Sequence, residues 1–358
     1  MTPLAEALIA RIRREGPLSV AEYMQACLHD PEHGYYRRQP AIGGTADFIT
    51  APEISQAFGE LIGLWCAVVW QQMGAPGTLH LVELGPGRGT LMRDALRAAR
   101  AAPAFRRALH VHLIESNASL TAQQRAALQD EDVATTWCGE VGAIAQGLPA
   151  IVIANEFLDT LPVAQWVLHN GHWHARCVGL DDAGRLAFVA GAAEPALQVP
   201  PALDGRAREG DILETRDATL AALAATLADL GAPLAMLFID YGHVTPAFGD
   251  TLQAVRAHRY DDPLAAPGEA DLTAQVDFSA VAAAMAHCDL TVDGPVTQAQ
   301  FLGSLGIAER ASRLMAANSD KAARIETDVA RLMAPGGMGT RFHAIGARSN
   351  DLAPLPGF

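Results

Sequence analysis

The 358-residue chain reads as an α/β protein built on a parallel sheet, and three observations carry that reading. Short apolar runs recur at 79–84, 111–115, 133–138 and 151–154, each of strand length. Segments of helical period, 90–100 and 118–128, lie between them. Half of the residues are hydrophobic, enough to cover both faces of such a sheet with helices. A helical segment precedes this frame and a β-rich insertion interrupts it.

Taken in order, Thr2 caps a first helix, Pro3 suits its first turn, and Leu4, Leu8, Ile9 and Ile12 form one face. Gly16-Pro17 ends it, and Ser19-Val20-Ala21-Glu22 is a capping-box pattern for a second. Residues 29–50 read as loop. A long helix is expected from Glu53 to Met73, with Phe58, Leu61, Ile62, Trp65 and Val69 as its stripe and Gly74 as its stop. Trp65, Trp70 and Met73 read as core or interface side chains. After the four strands, Asn170-Gly171 marks a hairpin inside a β-rich insertion over 163–213. A helix at 218–230 and a strand at 234–239 resume the alternation. Residues 241–275 look irregular, Asp277 caps a helix through Met285, 290–292 is a short strand, 298–333 is helical and 341–347 is a last strand. The expected division is 1–76, 77–162, 163–216, 217–293 and 294–358.

The formal net charge of −14 excludes a non-specific nucleic-acid binder, which needs a positive surface. It is compatible with a partner presenting Arg or Lys, but the simpler reading is the ordinary solubility of an acidic cytoplasmic protein. Cys27, Cys66, Cys138, Cys177 and Cys288 are scattered, with no CxxC pair, and read as reduced thiols instead of disulfides or a zinc site. No signal peptide is evident, and the longest apolar run, Leu61–Trp70, is too short to cross a bilayer.

The stretch LVELGPGRGTL, Leu81–Leu91, places Gly85, Gly87 and Gly89 just after the first strand of the alternating set. Parallel sheets bind ligands beyond the carboxyl ends of their strands, and glycine admits close backbone approach. Thr90 stands where a dinucleotide fingerprint has its last glycine, and no Lys-Ser or Lys-Thr follows. A glycine run alone can be a plain structural turn. Here Glu83 precedes it, and Glu115 ends the next strand, where an acid accepts ribose hydroxyls. Carboxylates there suit a nucleoside with a cationic tail and disfavour a phosphate, which fits S-adenosylmethionine.

Together, GTADFITAPEISQAFGELIGLW, LVELGPGRGTLMRDALR, HLIES, ANEFLDTLPV, DYGH, DTLQAVRAHRY and APGEADLTAQVDF resemble the MidA-like S-adenosylmethionine-dependent methyltransferases over residues 17–345. The resemblance implies a class I, Rossmann-like methyltransferase fold with a seven-stranded sheet. It implies S-adenosylmethionine as donor, S-adenosylhomocysteine as product, and methylation of a protein arginine linked to respiratory complex I. Bacterial members are expected in the cytoplasm and eukaryotic relatives in the mitochondrial matrix; a homodimer is the candidate assembly. Carried onto this chain, Gly85, Pro86, Gly87 and Gly89 line the methionine part of the donor. Glu115 takes the ribose, and Cys138, Gly139 and Glu140 approach the adenine. Thr50, Pro52 and Glu53 close over the donor, and Glu83 and Asn155 complete the set.

The acceptor side is expected in ANEFLDTLPV. Glu156 and Asp159 are three apart, so a helical turn would project both to one side, where carboxylates match a guanidinium fork. Glu156 is the expected clamp; a helix cap or a pair with an arginine such as Arg259 is the structural alternative. The family pattern has two aromatic residues after the glutamate, whereas this chain has Phe157-Leu158. His243 in DYGH is a candidate proton relay, oriented by Asp240 or Tyr241, or else a structural donor. No metal is needed, because the methyl group arrives activated. His169, His172 and His174 read as exposed hairpin histidines. The competing readings are a non-catalytic donor-binding chaperone, a small-molecule methyltransferase and, more remotely, a nicotinamide-dependent dehydrogenase.

Overall fold

The structure, a computed structural model, describes residues 1–38, 49–256 and 259–358. Residues 39–48 of the expected loop, which hold GTADF of the first family stretch, lie outside the described residues, as do Ala257 and His258 of DTLQAVRAHRY. The chain divides into two compact units. One gathers Ile49–Leu158, Leu220–Gly242 and Ala280–Phe358; the other gathers the described residues of Met1–Phe48 with Asp159–Thr219 and His243–Ser279.

Seven strands organise the first unit: β1 (Leu79–Leu84), β2 (Leu109–Ile114), β3 (Ala134–Cys138), β4 (Ala150–Asn155), β5 (Leu234–His243), β6 (Thr291–Thr297) and β7 (Phe342–Arg348). Their order across the sheet is β6-β7-β5-β4-β1-β2-β3. The five from β5 to β3 are parallel, while β7 runs antiparallel to both of its neighbours. This is the seven-stranded arrangement that the resemblance implied. Every residue of β1 and of β4 is buried, so neither strand alternates. That is the pattern of a parallel sheet covered on both faces. Strand order reverses between β1 and β4, which opens the crevice at their carboxyl ends.

Helices α1 (Gln56–Gln72) and α2 (Thr90–Ala99) pack against each other within this unit. Two glycines of GELIGLW explain how closely. A Cβ on Gly59 would lie 2.8 Å from Asp94 Cβ, and one on Gly63 would collide with the carbonyl of Ala95. Glu60, between them, is buried and bonded to Arg97 Nε at 3.0 Å and Arg310 Nε at 2.6 Å. The long helix expected from Glu53 is interrupted. Ala51–Ile54 forms a single turn, then Ser55 becomes extended, and its hydroxyl accepts the Ala57 N–H at 3.3 Å to start α1. A serine's preference for the N-cap wins over helix continuation. Trp65 and Trp70 are core, each indole N–H donating to a proline carbonyl, Pro356 and Pro76.

In the second unit, helices Pro3–Glu15 and Val20–His29 share one core with the insertion. Leu18–Ser19 pairs with strand His172–Leu180, and Leu4, Leu8, Ile12 and Met24 are buried with Val163, Val178 and Leu272. The segment expected as one piece, 1–76, is therefore split, because the first two helices bury their apolar faces on the insertion while residues from Ile49 onward belong with the sheet. Thr2 caps the first helix and Ser19–Glu22 forms the expected capping box. Asn170 and Gly171, both at positive φ, turn the hairpin. The irregular stretch 241–275 contains a small sheet of Gln253–Arg256, Arg259–Asp261 and Asp271–Thr273.

On the sheet, His80 and His112 are buried together, His112 Nε2 lying 2.8 Å from His80 Nδ1 and His80 Nε2 3.1 Å from the Ala145 carbonyl. Burial holds the His112 pKa down to about 4 and His80 below its usual value. The unfolded chain takes up protons from about pH 6.5 downward while the folded chain resists, so this contribution is complete above about 6.5 and is lost as pH falls toward 4. Denaturant titrations should show the unfolding free energy of the wild type dropping more steeply over that window than that of His112→Leu; parallel curves would contradict the assignment. Gly63→Ala should cost about 1–3 kcal/mol through overpacking of α1 on α2. An unchanged melting temperature would mean that the two helices are free to separate.

Candidate donor and acceptor site

The glycine stretch turns the chain from β1 into α2. Gly85, Gly87 and Gly89 have φ of +61°, +54° and +79°, conformations that a side chain strains. Gly89 N–H closes the turn on the Pro86 carbonyl at 2.8 Å, and Gly85 N–H donates to Ile114 of β2 at 3.3 Å. Space is scarce as well: a Cβ on Gly85 would meet the Phe157 ring at 3.0 Å. Pro86 and Gly87 are buried, while Gly85 is exposed.

Glu115 follows β2, half-buried, its N–H donating to the Cys138 carbonyl at 2.9 Å. One carboxylate oxygen accepts the Asn117 N–H at 2.7 Å and the other the amide of Gln124 at 3.2 Å. That bond sequence links the glycine turn, Glu115 and the end of β3, where Gly139 and Glu140 are exposed and a Cβ on Gly139 would meet nothing within 4 Å. Glu53 closes the other side. Its carboxylate accepts the Thr90 hydroxyl at 2.5 Å and lies 3.9 Å from Arg88. Thr50 and buried Pro52 flank it in the short turn.

Among the buried side-chain atoms with no hydrogen-bond partner in the described residues are Glu83 Oε2 on β1 and Asn155 Oδ1 at the end of β4. Burial pushes the Glu83 carboxyl up to about 8. The residues therefore fit a cationic nucleoside: a bare peptide cradle, buried polar atoms still lacking partners, and the Glu53 and Glu115 carboxylates. A pyrophosphate would meet the Glu53 and Glu115 carboxylates, with Arg88 already drawn toward Glu53.

Glu156 follows directly, with φ +52°, a strained conformation for this residue type. Its N–H donates to the Ile239 carbonyl at 2.9 Å, and its Oε1 accepts the Ala51 N–H at 2.8 Å and the Asn155 amide at 3.0 Å. The expected helical turn is absent. Glu156 is left-handed, and a 3-10 turn begins only at Leu158, because the ladder with β5 holds the chain as far as Asn155, opposite Ile239, before it bends. Asp240, expected to orient His243, is buried on β5. Its Oδ2 accepts the N–H groups of Phe157 and Leu158 at 3.1 and 2.9 Å, and its Oδ1 accepts Tyr241 N–H.

Asp159 and His243 fall in the other unit. Asp159 is buried, and its carbonyl accepts the Ala274 N–H at 3.0 Å and Arg216 Nη2 at 3.4 Å. Arg216, also buried, donates further to the carbonyls of Leu161, Ala274 and Gln275, clasping residues 159–161 to the ADLTAQ stretch. His243 Nδ1 lies 2.8 Å from the Thr245 carbonyl and 4.0 Å from Asp277 Oδ1. His169 pairs with Glu209 at 2.9 Å, and His174 Nδ1 lies 3.1 Å from the Gly191 carbonyl. Among the described residues no group of three or more His, Cys, Asp or Glu is arranged to hold a metal ion, and no helix is long and apolar enough to cross a membrane. Gln124, Arg216 and Asp240's true partners were not anticipated. Nothing local in AQQRAA or ETRDAT distinguishes such residues from ordinary helical or loop positions.

Residues 61–296 match the family described as "Putative S-adenosyl-L-methionine-dependent methyltransferase". The chain is 34% identical to the mitochondrial protein arginine methyltransferase NDUFAF7 of Danio rerio, over 94% of this chain and 84% of that one. It is 32% identical to the Homo sapiens protein of that name, over 96% and 82%. A crystal structure of a Burkholderia thailandensis protein bound to S-adenosyl-homocysteine superposes with a TM-score of 0.84 at 28% identity, covering 99% of this chain and 94% of that one. With the seven-strand order and the glycine turn, these likenesses place the chain in the MidA-like family of S-adenosylmethionine-dependent methyltransferases.

Proposed function

We propose that this enzyme methylates an arginine of a protein substrate, and that the substrate is a respiratory complex I subunit under assembly. The observation that carries the acceptor reading is Glu156: a carboxylate at a strained, left-handed position beside the glycine turn, its backbone clamped from two sides. Strain of this kind persists where surroundings over-determine it, as functional sites do. Support for a protein arginine comes from the names of the relatives, and the net charge of −14 suits a basic acceptor segment.

Gly85, Pro86, Gly87 and Gly89 would hold the methionine part of the donor, Glu115 the ribose, Cys138, Gly139 and Glu140 the adenine side. Glu83, Asn155, Thr50, Pro52 and Glu53 would complete the enclosure. The bound donor supplies a methyl group already activated by its sulfonium. What the chain must add is alignment of the attacking nitrogen with the methyl carbon and sulfur. Glu156 supplies it by gripping the guanidinium, and Asn155 and the Ala51 N–H hold Glu156 in turn. Asp240 fixes the next two peptides, so the carboxylate cannot swing with the loop. Asp159 and His243 are candidates for a further carboxylate and a proton relay on sequence grounds, each to be tested by its own substitution.

Incubating the enzyme with radiolabelled donor and isolated complex I subunits should leave label on protein, in arginine. Label confined to small molecules, or absent, would overturn the reading. Glu156→Gln retains an oxygen for the Ala51 N–H but removes the charge, and should slow transfer by about 100-fold, the worth of a strong charge-assisted bond, with product affinity nearly intact. Undiminished transfer would return Glu156 to a capping role. Gly87→Val should abolish donor binding because a β-branched residue is strained at φ +54°; normal binding would contradict the turn geometry.

A further inference from the structure

Gln124, wholly buried on α3 (Ala118–Leu128), is bonded to three separate segments. Its Nε2 donates to the Gly87 carbonyl at 2.7 Å and to Glu115 Oε2 at 3.2 Å, while its Oε1 accepts the Trp137 indole N–H at 3.0 Å. These partners fix which way the amide points. An indole N–H only donates and a carbonyl only accepts, so a flipped amide would oppose like groups. Arg125 lies 4.0 Å over the Trp137 ring and steadies it. The Gln124 Cα is also the atom that a Cβ on Gly89 would meet, at 3.3 Å.

We propose that Gln124 is a positioning residue of the donor site, setting the Glu115 carboxylate and the glycine turn in register so that the ribose hydroxyls are read. The proposal rests on the assignment of Glu115 to the ribose. Held by Asn117 on one oxygen and Gln124 on the other, the Glu115 carboxylate keeps one rotamer. Holding the Gly87 carbonyl toward α3 also fixes the Gly87–Arg88 peptide plane, and a trans peptide then turns the Arg88 N–H the opposite way. A single buried amide thus couples two donor-binding segments that lie far apart in the chain.

Gln124→Glu keeps the shape and the acceptor for Trp137 but presents a carboxylate to Glu115 and to the Gly87 carbonyl. Gln124→Met fills the space without hydrogen bonding. Calorimetric affinities for S-adenosylhomocysteine and its 2′-deoxy analogue, measured on wild type, both variants and Glu115→Gln, with circular dichroism as the check on folding, decide the matter. The wild type should prefer the ligand bearing the 2′-hydroxyl. Gln124→Glu should bind S-adenosylhomocysteine about tenfold more weakly at pH near 8, the worth of one hydrogen bond to a charged group, and lose that preference. Both should return as pH is lowered and the introduced carboxyl gains a proton to donate. Unchanged affinity in a folded Gln124→Glu, or equal weakening of both ligands without recovery at low pH, would reduce Gln124 to a packing residue. If Gln124→Glu does not fold, Gln124→Met carries the same readout, lost preference supporting the proposal and retained preference overturning it. A wild type indifferent to the 2′-hydroxyl, or a Glu115→Gln that still prefers it, would bring down the ribose assignment and the role of Gln124 with it.

Discussion

The reversal at Gly85–Gly89 constrains everything around it. Three alternate residues take left-handed conformations, and the helix that follows cannot move to relieve them, because Gly59 and Gly63 draw α1 into backbone contact with α2. Phe157 crowds the turn from one side and Gln124 from another. A loop held this way loses little entropy when a ligand settles on it, which is the benefit of preorganisation. The GELIGLW and ELGPGRGT stretches are thus two halves of one packing problem, the first making room for the helix that the second begins.

Buried ions fix backbone elsewhere in the chain as well, in complementary ways within each unit. Asp240 gathers N–H groups from Phe157 and Leu158, just after the strained Glu156. Arg216 gathers carbonyls from Asp159, Leu161, Ala274 and Gln275. Each charge is satisfied by peptide dipoles, an arrangement that tolerates burial while leaving no freedom in the loops it holds. Removing either would strand several polar groups at once, so both belong to the machinery that sets loop shape.

What could be seen in the linear chain was what depends on neighbours in the chain. The caps at Thr2 and Ser19, the hairpin at Asn170-Gly171, the four central strands and the glycine turn all follow from local spacing. Their boundaries shifted by a residue or two. The break at Ser55 was hidden because a serine within an apolar helical pattern reads equally as interior or cap. The partition of residues 1–76 was hidden because an apolar face does not say which surface will cover it. The strands within 241–275 are three or four residues long, below what periodicity can register. At the site, glycines and acids next to strand ends stood out, whereas the helical pairing of Glu156 with Asp159 failed because strand register outlasted the expected turn.

The seven strands of the first unit are assembled from distant parts of the chain. Strand β7, Phe342–Arg348, lies between β5 and β6 in the sheet although it follows both in the chain. Until β7 is synthesised, β5 lacks this neighbour and β6 lacks the strand it pairs with. A nascent chain that has not yet reached Arg348 therefore carries an unpaired sheet edge, and that interval is one in which a chaperone or a premature stop decides between enzyme and aggregate.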